Sequence, residues 1–253
     1  MKRVLIKMLK ILEFANLPSS SVKLCAIGEG NKQTEHELNR LGIKTVSPKA
    51  SENLLKSESA HADILMLHLG KEQIFLSKEQ NELFNTLISF GFAPTLLETE
   101  LNSKYPENIL LNAAIIKEKF FAHKNSISIF SEYKNFKFFP VNQGYAKCSA
   151  CIINSNAAIT EDDGIFTAIK TAGLDVLKIK KGDVKLHGMN YGFFGGAAGK
   201  LSPDILAING QLRYNSDKDI IISFLRNHNV HIVELKSGEV EDIGGVLPLL
   251  EEE

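Results

Sequence analysis

The chain has 253 residues, 44% of them hydrophobic, enough to bury a substantial core, and its 29 basic and 30 acidic residues leave a net charge of -1. That balance excludes the overall cationic field that gathers nucleic acid or an anionic bilayer, so neither is expected as a partner. No apolar run reaches the roughly 18 residues of a membrane span, and three cysteines, an odd number, suit a reducing compartment and point to the cytoplasm.

The N-terminal run from Met1 to Leu12 looks like a signal peptide, but Lys7 and Lys10 break its apolar centre and no small-residue cleavage site follows. A short surface helix or strand is expected there, then a turn over 16–21. A first unit starts at Val22. Thr34 and Glu37 have capping-box spacing, Leu38 and Leu41 form an apolar stripe, Gly42 sits where a helix stops, and Ile43 to Pro48 reads as a strand.

The second unit reads as a hairpin over His61 to Leu76, a helix capped by Ser77 and Gln80 and ended by Gly91, and a strand from Phe92 to Leu97. In the third, 109–116 and 119–123 are expected strands, 126–134 a helix, and Asn135 its stop. The fourth has Cys151-Ile-Ile, a turn at 154–156, a helix from about Asp163 to Ala172 closed by Gly173, and a strand over 174–179. The fifth predicts Ile205 to Ile208 and Gln211 to Tyr214 as strands joined by an Asn209-Gly210 turn, whose residues tolerate positive φ. Ser216 then caps a helix stopped by Asn229, and His231 to Leu235 follows as a strand.

Aligning the polar residue that opens each first strand picks out Lys23, Asp63, Asn108, Cys151 and Asp204, at spacings of 40, 45, 43 and 53. Such periods mean repeated supersecondary modules that bury a core only against their neighbours. The expected fold is one α/β domain over 1–253, a five-fold pseudosymmetric propeller of ββαβ units at about 22–60, 61–104, 105–147, 148–201 and 202–250. Polar residues at inward strand ends would share one axial cleft. The long fourth spacing reads as an insertion over 183–201, where Gly192, Gly195 and Gly196 would let a loop approach a ligand across the cleft.

Five such units resemble the pentein fold of the guanidino-group-modifying enzymes: arginine and agmatine deiminases, dimethylarginine dimethylaminohydrolase and the amidinotransferases. The phrases His61-Ala-Asp, Tyr105-Pro-Glu-Asn, Gln143-Gly-Tyr-Ala-Lys-Cys-Ser, Gly192-Phe-Phe-Gly-Gly-Ala-Ala-Gly and Glu241-Asp-Ile-Gly are similar to an uncharacterised bacterial family with this fold. The resemblance implies a cysteine nucleophile just after a glycine pair near the C-terminus, a histidine base, and carboxylates gripping the planar cation bidentately. His187 falls where that histidine is implied, but Leu247 or Pro248 stands where the thiol belongs.

Two functions follow. One is a non-standard or non-catalytic binder of a small cationic, guanidino-like ligand. The other is a cysteine-dependent hydrolase or amidinotransferase with a relocated nucleophile, Cys148, activated by neighbouring Lys147, with His187 as base and His61, Asp63, Glu107 and Asp242 as ligand contacts. Cys148 and Cys151 also permit a redox pair, a zinc half-site or plain core packing, while Cys25 reads as core. Asp204 also marks a unit boundary. Gly195-Gly-Ala-Ala-Gly-Lys lacks the first glycine and the Ser/Thr of a phosphate loop, so no nucleotide, metal or other cofactor is expected.

Overall fold

Short strands alternate along the chain with single amphipathic helices, and the structure, a computed structural model describing residues 8–253, arranges them as five small sheets. The first elements are β1 (Leu9–Ile11), β2 (Val22–Ile27), α1 (Lys32–Arg40) and β3 (Lys44–Val46). The first seven residues of the signal-like run lie outside the described residues. Next come α2 (Ala62–Leu65), β4 (Met66–Gly70), β5 (Gln73–Leu76), α3 (Asn81–Ser89) and β6 (Ala93–Leu96). The third set is β7 (Ala114–Ile116), β8 (Lys119–Ala122), α4 (Lys124–Phe130) and β9 (Lys137–Pro140). The fourth is α5 (Ala146–Ser149), β10 (Ala150–Asn154), β11 (Ala157–Thr160), α6 (Asp163–Thr171) and β12 (Asp175–Lys178). Then follow β13 (Ala198–Ser202), β14 (Ile205–Ile208), α7 (Lys218–Asn227), β15 (His231–Glu234) and the C-terminal β16 (Val246–Glu252).

Four sheets repeat one pattern: an antiparallel hairpin, then a helix crossing to a third strand parallel to the second. The first sheet obtains its first-strand hairpin partner from the far end of the chain, because β16 pairs antiparallel with β2 while β2 pairs parallel with β3. β1 adds a fourth strand beside β16. The architecture is the five-fold pseudosymmetric α/β propeller of the penteins.

Strand runs are apolar rather than alternating because both faces of each sheet are covered. On β11, Ala158 packs toward the third sheet and Ala157 and Ile159 toward the fifth. On β5, Ile74 and Leu76 face the first sheet and Phe75 the third. On β2, Leu24 and Ala26 face the second sheet, and Cys25 and Ile27 face the fifth. Five clusters result, one between each neighbouring pair, and each helix lies in the junction with the preceding sheet: Leu87, Phe130, Ile165, Ile221 and Leu38 mark the five.

The strand alignment is corrected in two units. Lys23 and Asp204 belong to the second strands or the turns before them, and the first strands begin at Met66, Ala114, Ala150, Ala198 and Val246. The segment before β13 is therefore an ordinary inter-unit connection, comparable with the one before β4, and the long fourth spacing reflects the shifted alignment. Asn209-Gly210 is no hairpin turn either: Leu212–Tyr214 is a 3-10 turn, and the fifth hairpin turns at Pro203-Asp204. Asn209 instead ties two units together, accepting from Thr34 Oγ1 at 2.6 Å and donating to Glu241 O at 2.9 Å. That bond removes Thr34 from its expected capping role, and Gln80 likewise spends its side chain on the Lys49 backbone. Gly42, Gly91, Gly173 and Asn229 do end helices with positive φ, whereas Asn135 does not.

Gly199, on β13, marks the tightest approach between the fifth and first sheets, since a Cβ there would lie 1.7 Å from Val246 O. Gly199→Ala is expected to lower the stability of the ring by about 3 kcal/mol, the upper part of the overpacking range, read as a fall in the urea midpoint. An unchanged midpoint would mean that the ends do not meet this closely.

Candidate functional site

The segments that lead into the first strands carry the polar residues of the axis. One-turn helices hold Asp63 ahead of β4 and Cys148 ahead of β10, and irregular chain holds Asn112 ahead of β7 and Asp242 ahead of β16. Asn112 knits three units: its Oδ1 accepts from the backbone N of Lys147 at 2.7 Å and Cys148 at 3.3 Å, and its Nδ2 donates to Asp63 O at 2.9 Å and to Cys148 Sγ at 3.2 Å. The Cys148 thiol donates in turn to Asp63 Oδ2 at 3.0 Å. Asp63 Oδ1 is buried with no partner among the described residues.

Asp242 is held by backbone amides, Oδ1 accepting from Gly244 at 3.0 Å and Oδ2 from Phe193 at 2.9 Å, and His61 Nδ1 lies 3.8 Å from Oδ1. Gly244, with φ +77, lets the C-terminal segment press on His61, since a Cβ there would lie 2.5 Å from His61 Cα. Cys148, His61 and Asp242 line one cavity of about 280 Å³ with Glu58, Tyr145 and a largely apolar wall. Three outer depressions are larger, about 570, 500 and 490 Å³, but none contains a cysteine, and their two histidines, His231 and His187, are exposed. Glu58 is itself oriented, accepting from Asn108 Nδ2 at 2.8 Å and Tyr145 OH at 2.7 Å.

A sulfur, a ring nitrogen and a carboxylate oxygen from Cys148, His61 and Asp63 lie within 4.8 Å of one another, close enough to share a metal ion. Burial first, then the charges of Asp63 and Asp242, hold the Cys148 thiol well above its ordinary value, so it is protonated at neutral pH. Asp242 is also raised by burial, with His61 opposing. Glu161, behind the Phe193-Phe194 turn and accepting from Phe194 N at 3.1 Å, is pushed up to about 8 by burial.

Cys148, His61, Asp63 and Asp242 thus converge, although Asp63 sits behind the thiol rather than on the cavity wall. His187 does not join them: it is exposed and lines a separate depression with Tyr214 and Glu239. Glu107 is exposed and accepts from Asn102, and Asp204 occupies an outer turn. The glycines form a wall, not a lid. Gly192, Gly195 and Gly196 are buried, and a Cβ would fall 2.5 Å from Asp242 Cβ, 2.6 Å from Cys148 O and 2.1 Å from Asp242 Oδ1 respectively.

Lys147 points its Nζ at Gly195 O, 3.2 Å away, and burial and the carboxylates govern the thiol in spite of this sequence neighbour. Cys151 turns away from Cys148 into the core between the fourth and fifth sheets, its thiol pushed up to about 12 by burial, so the two cysteines form no redox pair. Leu247 and Pro248 border a void of about 20 Å³ with Asp63 and Lys147. Sequence reading passed over Glu58, Asn112 and Tyr145. Asn112 left one trace, a polar residue interrupting the apolar run 109–116.

The model of a family of unknown function, DUF6873, matches residues 27–247. No curated protein matches the chain. Solved structures do. An amidinotransferase of the saxitoxin biosynthetic pathway from Microseira wollei aligns at TM-score 0.58 and 8% identity, covering 88% of this chain and 91% of that one. An inosamine-phosphate amidinotransferase from Streptomyces griseus aligns at 0.57 and 9%, covering 91% of each. A DDAH from Pseudomonas aeruginosa aligns at 0.55 and 7%, covering 89% and 96%. At such identities the likeness establishes the fold.

Glu161 binds its proton more tightly when folded, so its contribution to stability is complete below about 4.5 and is lost as pH rises toward about 8. Glu161→Gln keeps the acceptor for Phe194 N without the charge. It is expected to match the parent near pH 4.5 and to exceed it by a few kcal/mol at pH 8.5, measured by urea unfolding; parallel curves at both pH values would contradict this.

Proposed function

The chain belongs to the DUF6873 family, and from that premise we propose that its axial cavity binds a small guanidino- or amidino-type cation and that Cys148 attacks the cation's central carbon. The observation that supports this reading is the Cys148 sulfur on the wall of a cavity that also holds His61, Asp242 and Glu58. Two carboxylates on a wall that has, among the described residues, no lysine or arginine invite a cation, and a planar N–H fork satisfies two of their oxygens at once.

The same cation activates the thiol. Its positive charge offsets Asp63 and Asp242, which add to burial in holding the sulfur protonated, so the proton can pass to His61 as the Sγ–C bond forms. Collapse of the tetrahedral adduct breaks a C–N bond, and the leaving amine takes the proton from His61. Water or a second amine then displaces the sulfur, giving hydrolysis or amidino transfer. A thiol used this way must stay reduced, which supports a cytoplasmic location.

The protonated state of Cys148 favours a second reading, a binder without chemistry, in which the thiol serves only as a donor to Asp63.

Treatment with 2-chloroacetamidine in the presence of EDTA separates the two. Catalysis predicts a single adduct on Cys148 by mass spectrometry, absent in Cys148→Ser, slowed roughly tenfold or more in His61→Ala, and unaffected in His187→Ala. Equal, slow labelling of all four proteins would remove the enzyme reading.

A further inference from the structure

Resting on the cation site proposed above, we infer that its ligand is a monocationic alkyl or aryl amidine or guanidine that carries no carboxylate. Among the described residues the cavity wall includes two carboxylates, Glu58 and Asp242, and no lysine or arginine, so His61 is the one lining side chain able to carry positive charge. His61 is engaged with Asp242, at 3.8 Å, and is not free to receive an acid group from the ligand. A ligand carboxylate would therefore face like charges with no free cationic partner on the wall.

The remainder of the wall indicates what does fit. Ile64, Leu186 and Met189 supply apolar surface. Tyr145 stacks on Phe193 with ring centroids 6.1 Å apart, and Tyr191 meets Phe193 edge to face at 6.1 Å. Aromatic faces beside carboxylates suit a delocalised cation with a hydrocarbon body. Glu58 is the specificity residue in this arrangement: it is 5% exposed, and Asn108 and Tyr145 hold its carboxyl in place. A volume of about 280 Å³ limits the ligand to the small end of ordinary pockets.

Calorimetric titration of Cys148→Ser, which cannot turn the ligand over, tests the inference with four compounds: butylguanidine, benzamidine, 4-guanidinobutanoate and arginine. Butylguanidine should bind at least about tenfold more tightly than 4-guanidinobutanoate, which differs from it by the acid group, and like charges buried together carry a penalty of that order. Adding Glu58→Gln should narrow this ratio, and Glu58→Asp, which keeps the charge, should preserve it. Equal or tighter binding of 4-guanidinobutanoate or arginine overturns the inference while leaving the cation site standing. A ratio indifferent to Glu58→Gln overturns the role given to Glu58. Failure of all four compounds to bind removes the cation site itself, and the inference with it.

Discussion

The structure depends on a sheet that cannot be half exposed. Every strand trio has apolar residues on both faces, so each sheet needs a neighbour on either side, and the requirement is met only when the line of five becomes a ring. Pairing of β16 with β2 completes the circuit, joining residues 22–27 to residues 246–252. Closure also directs the segments before the first strands toward one axis. The convergence of Asp63, Asn112, Cys148 and Asp242 is thus a consequence of how the core is covered.

What converges is an excess of buried acid. Asp63, Asp242, Glu58 and Glu161 surround or back the cavity, and the buried Lys147 turns to a backbone carbonyl. Burying carboxylates is costly, and the protein offsets the cost with aimed amides at Asp242, side-chain donors at Glu58, and proton retention at Glu161. Asp63 is the exception, with one oxygen receiving the thiol and the other without a partner among the described residues. A group left in that condition is primed for a positive ligand, and the same charge that raises the Cys148 pKa would be relieved by one.

Much of the fold was legible in the sequence because its signals are local. Short apolar runs, helix stops at Gly42, Gly91, Gly173 and Asn229, and a period of some 40 to 50 residues each report on a few neighbours. Ring closure is not local. The antiparallel partner of Val22 to Ile27 lies more than 200 residues away, so locally that run reads as a first strand when it is a second, and a matching slip in the fifth unit suggests an insertion that does not exist. The site divides the same way. His61, Asp63, Cys148 and Asp242 announce themselves as polar residues beside strand starts. Glu58 and Tyr145 occupy ordinary polar connections, where only the folded ring gives them a role, and His187 misled because a glycine-rich segment reads as a lid when its glycines in fact admit Asp242 and the Cys148 backbone.

The account turns on electrostatic coupling between a bound cation and one thiol. Titration of the Cys148 thiolate absorbance at 240 nm, taken as the difference between the parent protein and Cys148→Ser, measures that coupling with and without saturating butylguanidine. The account predicts that the cation lowers the apparent thiol pKa by at least about one unit, the scale of a single nearby opposite charge. An unchanged or higher pKa with the cation demonstrably bound would contradict it.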